Sequence, residues 1–117
     1  MSTHQNACAK ETLLRIRKLN DQLRKTGTGG MVLITPGIEA LDDETRFHLF
    51  QDMKTFTDFT EANDPYGEHD FGKIKTGGIS TFWKIDYYDL ELIGRSPDPS
   101  NAELTCRVLT LMLSSEY

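Results

Sequence analysis

A glycine turn between two β-rich segments constrains the fold of this chain more than any other feature of its sequence. The segment 79–88 alternates strictly between two faces, one of which carries Ile79, Thr81, Trp83, Ile85 and Tyr87. A second segment, 70–75, precedes it, and Thr76-Gly77-Gly78 lies between the two. Alternating segments joined by so short a glycine-rich link are typical of a β-hairpin. The sequence therefore predicts an antiparallel strand pair.

Two hairpin registers are compatible with these residues, and they give the motif Gly67-Glu68-His69-Asp70-Phe71-Gly72 different roles. A three-residue loop with Gly78 left-handed sets Phe71 opposite Trp83 and Asp70 opposite Lys84. A two-residue Gly-Gly turn sets His69 opposite Asp86 and buries Asp70. We favour the first register, because an unpaired buried carboxylate is energetically costly.

Other periodicities place three helices and one further strand. Residues 8–26 repeat apolar side chains at helical spacing, and residues 31–35 form a short apolar strand before Pro36. A second helix is predicted at 43–58, with a buried stripe of Phe47, Phe50, Met53 and Phe56 and with Leu49 beside it. A capping box at Ser100 opens a third, largely apolar helix at 101–115.

These elements predict an α+β fold: a three-stranded, mostly antiparallel sheet packed by three helices, in the order α-β-α-β-β-α. The chain of 117 residues is long enough for a single domain, 1–117, in which we expect residues 1–7 to be flexible. No apolar run is long enough to span a bilayer, and residues 1–9 lack the features of a signal peptide. We therefore expect a cytoplasmic protein whose two cysteines, Cys8 and Cys106, are reduced.

The net charge of −5 is unevenly distributed along the chain. Residues 1–35 hold 6 Lys/Arg and 2 Asp/Glu, residues 36–70 hold 2 and 10, and residues 71–117 hold 5 and 6. The middle third is an acidic belt, which steers association toward basic partners or simply keeps the protein soluble. Direct contact with nucleic acid is disfavoured, because it requires clustered cations.

The histidine motif offers possible ligands and possible acid/base groups. Glu68, His69 and Asp70 are all potential metal ligands, but adjacent strand residues point to opposite faces, and the chain has no HExxH, CxxC or HxH spacing. We therefore expect neither a metal nor another cofactor. A small hydrolase or transferase that uses His69 with Asp86 is an alternative, since an oriented histidine can act as a general base.

Aromatic residues stand among carboxylates in the same region, which is typical of an interface that binds a basic partner. The competing interpretation is that Trp83 and Tyr87 fill the core while the acids solvate the edge of the sheet. A second alternative is regulatory nucleic-acid binding through Arg15, Arg17, Lys18 and Arg24 on the first helix. The predicted partner-binding residues are Asp64, Tyr66, Glu68, His69, Asp70, Asp86, Tyr88 and Asp89.

Several motifs together resemble a known family. They are Leu19-Asn20-Asp21 with Arg24, the stretch 63–72 (NDPYGEHDFG), the stretch 83–89 (WKIDYYD), Ser96-Pro97-Asp98-Pro99 and the closing residues through Glu116-Tyr117. From about Leu19 to Tyr117 the chain resembles the small proteobacterial domain-of-unknown-function family numbered thirty-seven sixty-eight, which has no assigned activity.

The resemblance implies a setting rather than a mechanism: accessory cargo of plasmids and integrated elements, whose neighbouring genes often counter host defence. Joined to the acidic belt, this setting suggests a non-enzymatic inhibitor of a nucleic-acid-handling defence complex. The expected partner has a basic groove, as in a CRISPR effector or a restriction enzyme. The inhibitor itself would be a monomer or a homodimer.

Overall fold

The structure is a computed structural model that describes residues 3–117, with side chains from residue 9 onward. Residues 1–2, part of the stretch that we expected to be flexible, lie outside it, as does the side chain of Cys8. Cys106 is a free, half-buried thiol. The helices are α1 (Thr3–Thr26), α2 (Pro36–Glu39) and α3 (Asp43–Lys54), and the strands are β1 (Met31–Ile34), β2 (Phe71–Thr76), β3 (Ile79–Tyr88) and β4 (Cys106–Leu113).

The sheet has four strands in the order β1-β4-β3-β2, which confirms an α+β fold but corrects the predicted strand count. β1 runs parallel to β4, whereas β4 with β3 and β3 with β2 are antiparallel. The helices cover one face of this mixed sheet, where Leu23 of α1 and Leu49 of α3 join Trp83 and Leu109 in the core. Within the described residues, no helix is long and apolar enough to cross a membrane.

The predicted third helix is wrong, because residues 106–113 form the strand β4. The capping motif that was expected to open a helix produces a single 3-10 turn, Ala102–Leu104, in which the Asn101 side chain accepts a hydrogen bond from the Glu103 backbone N–H. β4 lies between β1 and β3 and has buried side chains on both faces. A strand that is apolar on both faces lacks the period-2 signal, so its pattern can be mistaken for a buried helix.

The favoured hairpin register is also wrong. Thr76 pairs with Ile79, so the turn contains only Gly77 and Gly78, with φ of 57° and 86°. A two-residue turn with positive φ at both positions matches the right-handed twist of the strands that it joins. Glycine adopts this conformation without steric cost. Phe71 consequently lies opposite Lys84, and the Asp70 carbonyl accepts a hydrogen bond from the Ile85 N–H at 2.8 Å.

Helix α3 is shorter than predicted, and one member of its predicted stripe is misplaced: Phe50, Met53 and Phe56 contact the core, but Phe47 is exposed. The Asp42 side chain caps its first turn, accepting from the Thr45 N–H at 2.8 Å. Leu49 and Met53 are fully buried, whereas Phe47 is 59% exposed. At 3.6 residues per turn, Phe47 is rotated about 200° from Leu49, so a face centred on Leu49 turns Phe47 toward solvent.

Candidate functional site

The loop before β2, residues 60–70, is held against α1 through its own backbone. The Arg17 Nε donates to the Gly67 carbonyl at 2.7 Å, and Gly67 has a φ of 70°. The Asp64 carboxylate is almost fully buried and accepts from the His69 N–H at 3.2 and 3.3 Å. Asp64, one of the predicted partner-binding residues, therefore lies inside the loop and shapes it.

His69 is directed toward α1 by an unusual backbone conformation. Its φ of 58° breaks the strand alternation immediately before β2. The imidazole stacks on Phe59 with ring centroids 3.8 Å apart, and its Nδ1 lies 2.9 Å from the Asp21 Oδ1. Asp86, meanwhile, pairs with Lys84 at 2.9 Å. The structure thus gives different partners to the two members of the alternative catalytic pair.

A buried polar network joins this loop to the sheet. The Asn20 side chain of α1 is inaccessible to solvent, and its Nδ2 donates to the Glu68 carbonyl at 3.0 Å and to the Tyr87 hydroxyl at 2.7 Å. Its Oδ1 accepts from the Arg107 Nε at 2.9 Å. The Tyr87 hydroxyl in turn donates to the Glu68 carboxylate at 2.6 Å. One amide therefore connects a helix, a loop and two strands.

The electrostatics of this network follow from its burial. Desolvation, followed by the hydrogen bond to Glu68, raises the pKa of Tyr87 well above its usual value. Tyr87 consequently remains a neutral hydroxyl that donates to a carboxylate. The Arg107 guanidinium lies over the Tyr87 ring at 5.3 Å and also donates to the Pro99 carbonyl. The network is satisfied internally, which favours a structural role.

Arg24 forms a second buried connection between α1 and the rest of the fold. It is 1% exposed, and its Nη1 lies 3.1 Å from each of the carbonyl oxygens of Met53, Lys54 and Phe56 at the end of α3. Its Nη2 donates to Asp21 at 3.1 Å. A cation at a helix C-terminus satisfies orphan carbonyls and complements the helix dipole. Arg24 is therefore unable to contact nucleic acid as the second alternative required.

An open cleft of about 390 Å³ brings three of the predicted partner-binding residues together, namely Asp70, Asp86 and Tyr88. Burial, followed by the nearby Glu68 carboxylate, raises the pKa of Asp70 above its usual value. Of the described residues that line the cleft, Arg95 is the one cation. The full lining is Asp70, Ile85, Asp86, Tyr87, Tyr88, Gly94 and Arg95.

The other predicted residues have different surroundings. Asp89 organises the loop after β3, because its carboxylate accepts from the backbone N–H groups of Glu91, Ile93 and Gly94. Tyr66 is 78% exposed. Within the described part of the chain, no group of three His, Cys, Asp or Glu side chains is arranged to hold a metal ion.

Sequence reasoning assigned no role to Asn20, Asp21 or Arg107, and it missed Arg95. A signal was present for two of them. Asn20 stands beside Leu19 and Leu23 on the predicted apolar face of α1, and Arg107 is the charged residue within the largely apolar segment 104–113. A polar residue at a core position must have a buried partner. That requirement predicts a network but does not identify its members.

The family comparison agrees with the resemblance noted in the sequence. The model of the family described as "Protein of unknown function (DUF3768)" matches residues 34–116, well over half of the chain. No curated protein and no solved structure shows significant similarity to this chain. The matched range includes the loop, the hairpin and β4, which together form the cleft and most of the buried network. The chain therefore belongs to the DUF3768 family.

Proposed function

We propose that this protein is a non-enzymatic binding module that receives a lysine or arginine side chain of a partner protein in the cleft between Asp70, Asp86 and Tyr88. The observation that carries the proposal is the lining of that cleft, where two carboxylates and two tyrosines accompany a single arginine. Carboxylates bind cationic side chains through charge-assisted hydrogen bonds, and a tyrosine ring adds cation–π attraction.

The surrounding charge supports a basic partner. Residues 36–70 carry 10 Asp/Glu against 2 Lys/Arg. Many of these carboxylates are exposed on or near α2, α3 and the following loop: Glu39, Asp42, Asp43, Glu44, Asp58 and Glu61. A field of one sign accelerates encounter with a surface of opposite charge and discriminates against acidic partners.

The kind of partner that we propose is a complex that handles nucleic acid, such as a CRISPR effector or a restriction enzyme. The groove of such a protein is lined with cations that bind phosphate, so an acidic module competes for the same surface. Inhibition then requires occupancy of that groove and no chemistry by the module itself. In this proposal the protein counters host defence on behalf of a mobile element.

Two paired variants test the role of the cleft. Asp70→Asn with Asp86→Asn removes two charges inside the cleft, whereas Asp58→Asn with Glu61→Gln removes two exposed charges outside it. Each protein is titrated with a lysine-rich peptide at low and high salt, and each is added to DNA-cleavage assays of purified restriction and CRISPR effectors. We expect the cleft variant to lose at least tenfold in peptide affinity and to lose any inhibition, while the control stays close to wild type.

Equal weakening by both variants would show that only the overall charge matters and would refute the cleft as the site. Unchanged binding by the cleft variant would refute it as well. Circular dichroism of each variant before the titration separates a binding defect from a folding defect.

A further inference from the structure

The free edge of β1 differs from the other edge of the sheet. β1 ends the strand order on one side and β2 on the other. β2 carries the exposed cations Lys73 and Lys75, and charged side chains of this kind prevent edge-to-edge pairing. β1 reads Met31-Val32-Leu33-Ile34 and has no charge, although Met31, Leu33 and Ile34 are 41%, 44% and 36% exposed. The protein therefore protects one edge and leaves the other apolar and accessible.

The hydrogen-bonding direction of β1 identifies the groups at this edge. The Thr35 N–H donates to the Leu111 carbonyl in the parallel ladder with β4. Because alternate residues of a strand bond to opposite sides, Leu33 also bonds toward β4, and the backbone groups of Val32 and Ile34 point outward. No described residue outside the sheet forms a hydrogen bond to those outward groups. Two N–H and two C=O groups are thus available to another strand.

We infer that β1 pairs antiparallel with β1 of a second copy of this chain, so that two four-stranded sheets join into one of eight strands. The absence of charge along this edge favours a second copy as the occupant, because two identical uncharged edges meet without repulsion. Every copy has a net charge of −5, so two copies repel each other across most of their surfaces. Residues 26–38, which contain β1, hold no charged residue, and along this edge that repulsion is smallest. This inference is independent of the proposed function.

Symmetry and hydrogen bonding together determine the register of the joint sheet. A twofold axis relates every residue to the same residue of the other copy, so residues equally far from the axis in opposite directions lie opposite each other and share a face. With Leu33 on the axis, Val32 of one copy exchanges both backbone hydrogen bonds with Ile34 of the other, and the reciprocal pair does the same. All four outward groups of each strand are then satisfied. The two Leu33 side chains meet on the face of the sheet opposite the helices.

A disulfide trap tests this register directly. In a Cys8→Ser, Cys106→Ser background, Leu33→Cys places two thiols on adjacent positions whose Cα atoms are about 4.5 Å apart, within the range that a disulfide spans. Leu104→Cys is the matched control, because Leu104 is 41% exposed and lies outside β1. We expect Leu33→Cys to form a covalent dimer under mild oxidation and Leu104→Cys to remain monomeric. Equal crosslinking of the two variants, or none with Leu33→Cys, would overturn the inference.

Sedimentation of the protein with its native cysteines provides a second, independent measurement. Wild type should convert from monomer to dimer as its concentration rises. Leu33→Lys should weaken the association at least tenfold, since two lysines would meet on the twofold axis. Leu104→Lys introduces the same charge at a leucine of similar exposure outside β1, and this variant should dimerise like wild type. Wild type that stays monomeric at several hundred micromolar, or a Leu33→Lys variant that dimerises normally, would refute the paired edge.

Discussion

Replacing Asn20 with alanine tests the buried network that connects α1 to the sheet. The side chain has no solvent exposure and makes three hydrogen bonds, to the Glu68 carbonyl, the Tyr87 hydroxyl and the Arg107 guanidinium. Alanine removes all three bonds without introducing a larger group. The partners remain in place, so the substitution measures the cost of leaving buried polar groups unsatisfied.

The expected magnitude follows from the partners. The bond to a charged guanidinium contributes about 1.5–3 kcal/mol, and each of the two neutral bonds contributes about 0.5–1.5 kcal/mol. Water that enters the vacated space recovers part of this energy, and the higher helix propensity of alanine returns about 0.5 kcal/mol. We therefore expect the free energy of unfolding to fall by about 3 kcal/mol. For a domain whose total stability is about 5–15 kcal/mol, this is a large loss.

Urea denaturation followed by circular dichroism measures the change, with Gln22→Ala as the control. Gln22 is an amide on the same helix, but it is exposed and donates to only one side chain, Thr28. Gln22→Ala should change the free energy of unfolding by less than about 0.5 kcal/mol. If Asn20→Ala is destabilised by less than about 1 kcal/mol, the network does not hold the fold together and the reasoning is wrong.

Three further substitutions test other parts of the structure. Burial raises the pKa of Asp70 in the folded state, so ionisation of this carboxyl opposes folding at pH values above its usual pKa of 3.8. Asp70→Asn should therefore increase stability to urea at neutral pH but not at pH 3. An unchanged free energy of unfolding at neutral pH would contradict this. Gly72→Ala would place a methyl against the edge of the Trp83 ring, 2.6 Å from its Cε2 atom, and we expect a loss of about 1–3 kcal/mol in the free energy of unfolding with altered tryptophan fluorescence. An unaffected protein would show that the strands do not pair in this register. The pKa of Glu116 is lowered in the folded state, mainly by a hydrogen bond that Thr35 donates. The ionised carboxylate therefore stabilises the fold above pH 4.5, and this stabilisation is lost as the pH falls through the lower pKa of the folded state. Glu116→Gln should lower the melting temperature at pH 7, and the difference from wild type should vanish in acid.

The histidine motif illustrates how a structural network positions a surface. Glu68 and His69 are bound to Tyr87 and Asp21, so they anchor the loop. The next residue, Asp70, begins the pairing with β3 and lines the cleft. The motif therefore combines two residues that hold the loop with one, Asp70, that lines the cleft.

Local sequence determined the elements whose signals are independent of the rest of the chain. Helix α1 ends before Gly27, as predicted, because that glycine adopts a left-handed φ of 75° at the helix end. The hairpin of β2 and β3 was predicted from alternation and from its glycines. The acidic belt is a property of composition, and six of its ten carboxylates are exposed in the fold.

Tertiary structure alone decided the identity of β4, the strand order and the partners of the buried polar groups. β4 is covered on both faces, so its side chains carry no period that distinguishes a strand from a helix. Two registers were open to the hairpin, and the observed one places Asp70 at a cleft that is formed partly by the distant residue Arg95. Asn20 and Arg107 are 87 residues apart in the chain, and their bond exists only because α1 packs on the sheet. Contacts between segments so far apart depend on how the segments assemble, and no local pattern of residues encodes that assembly.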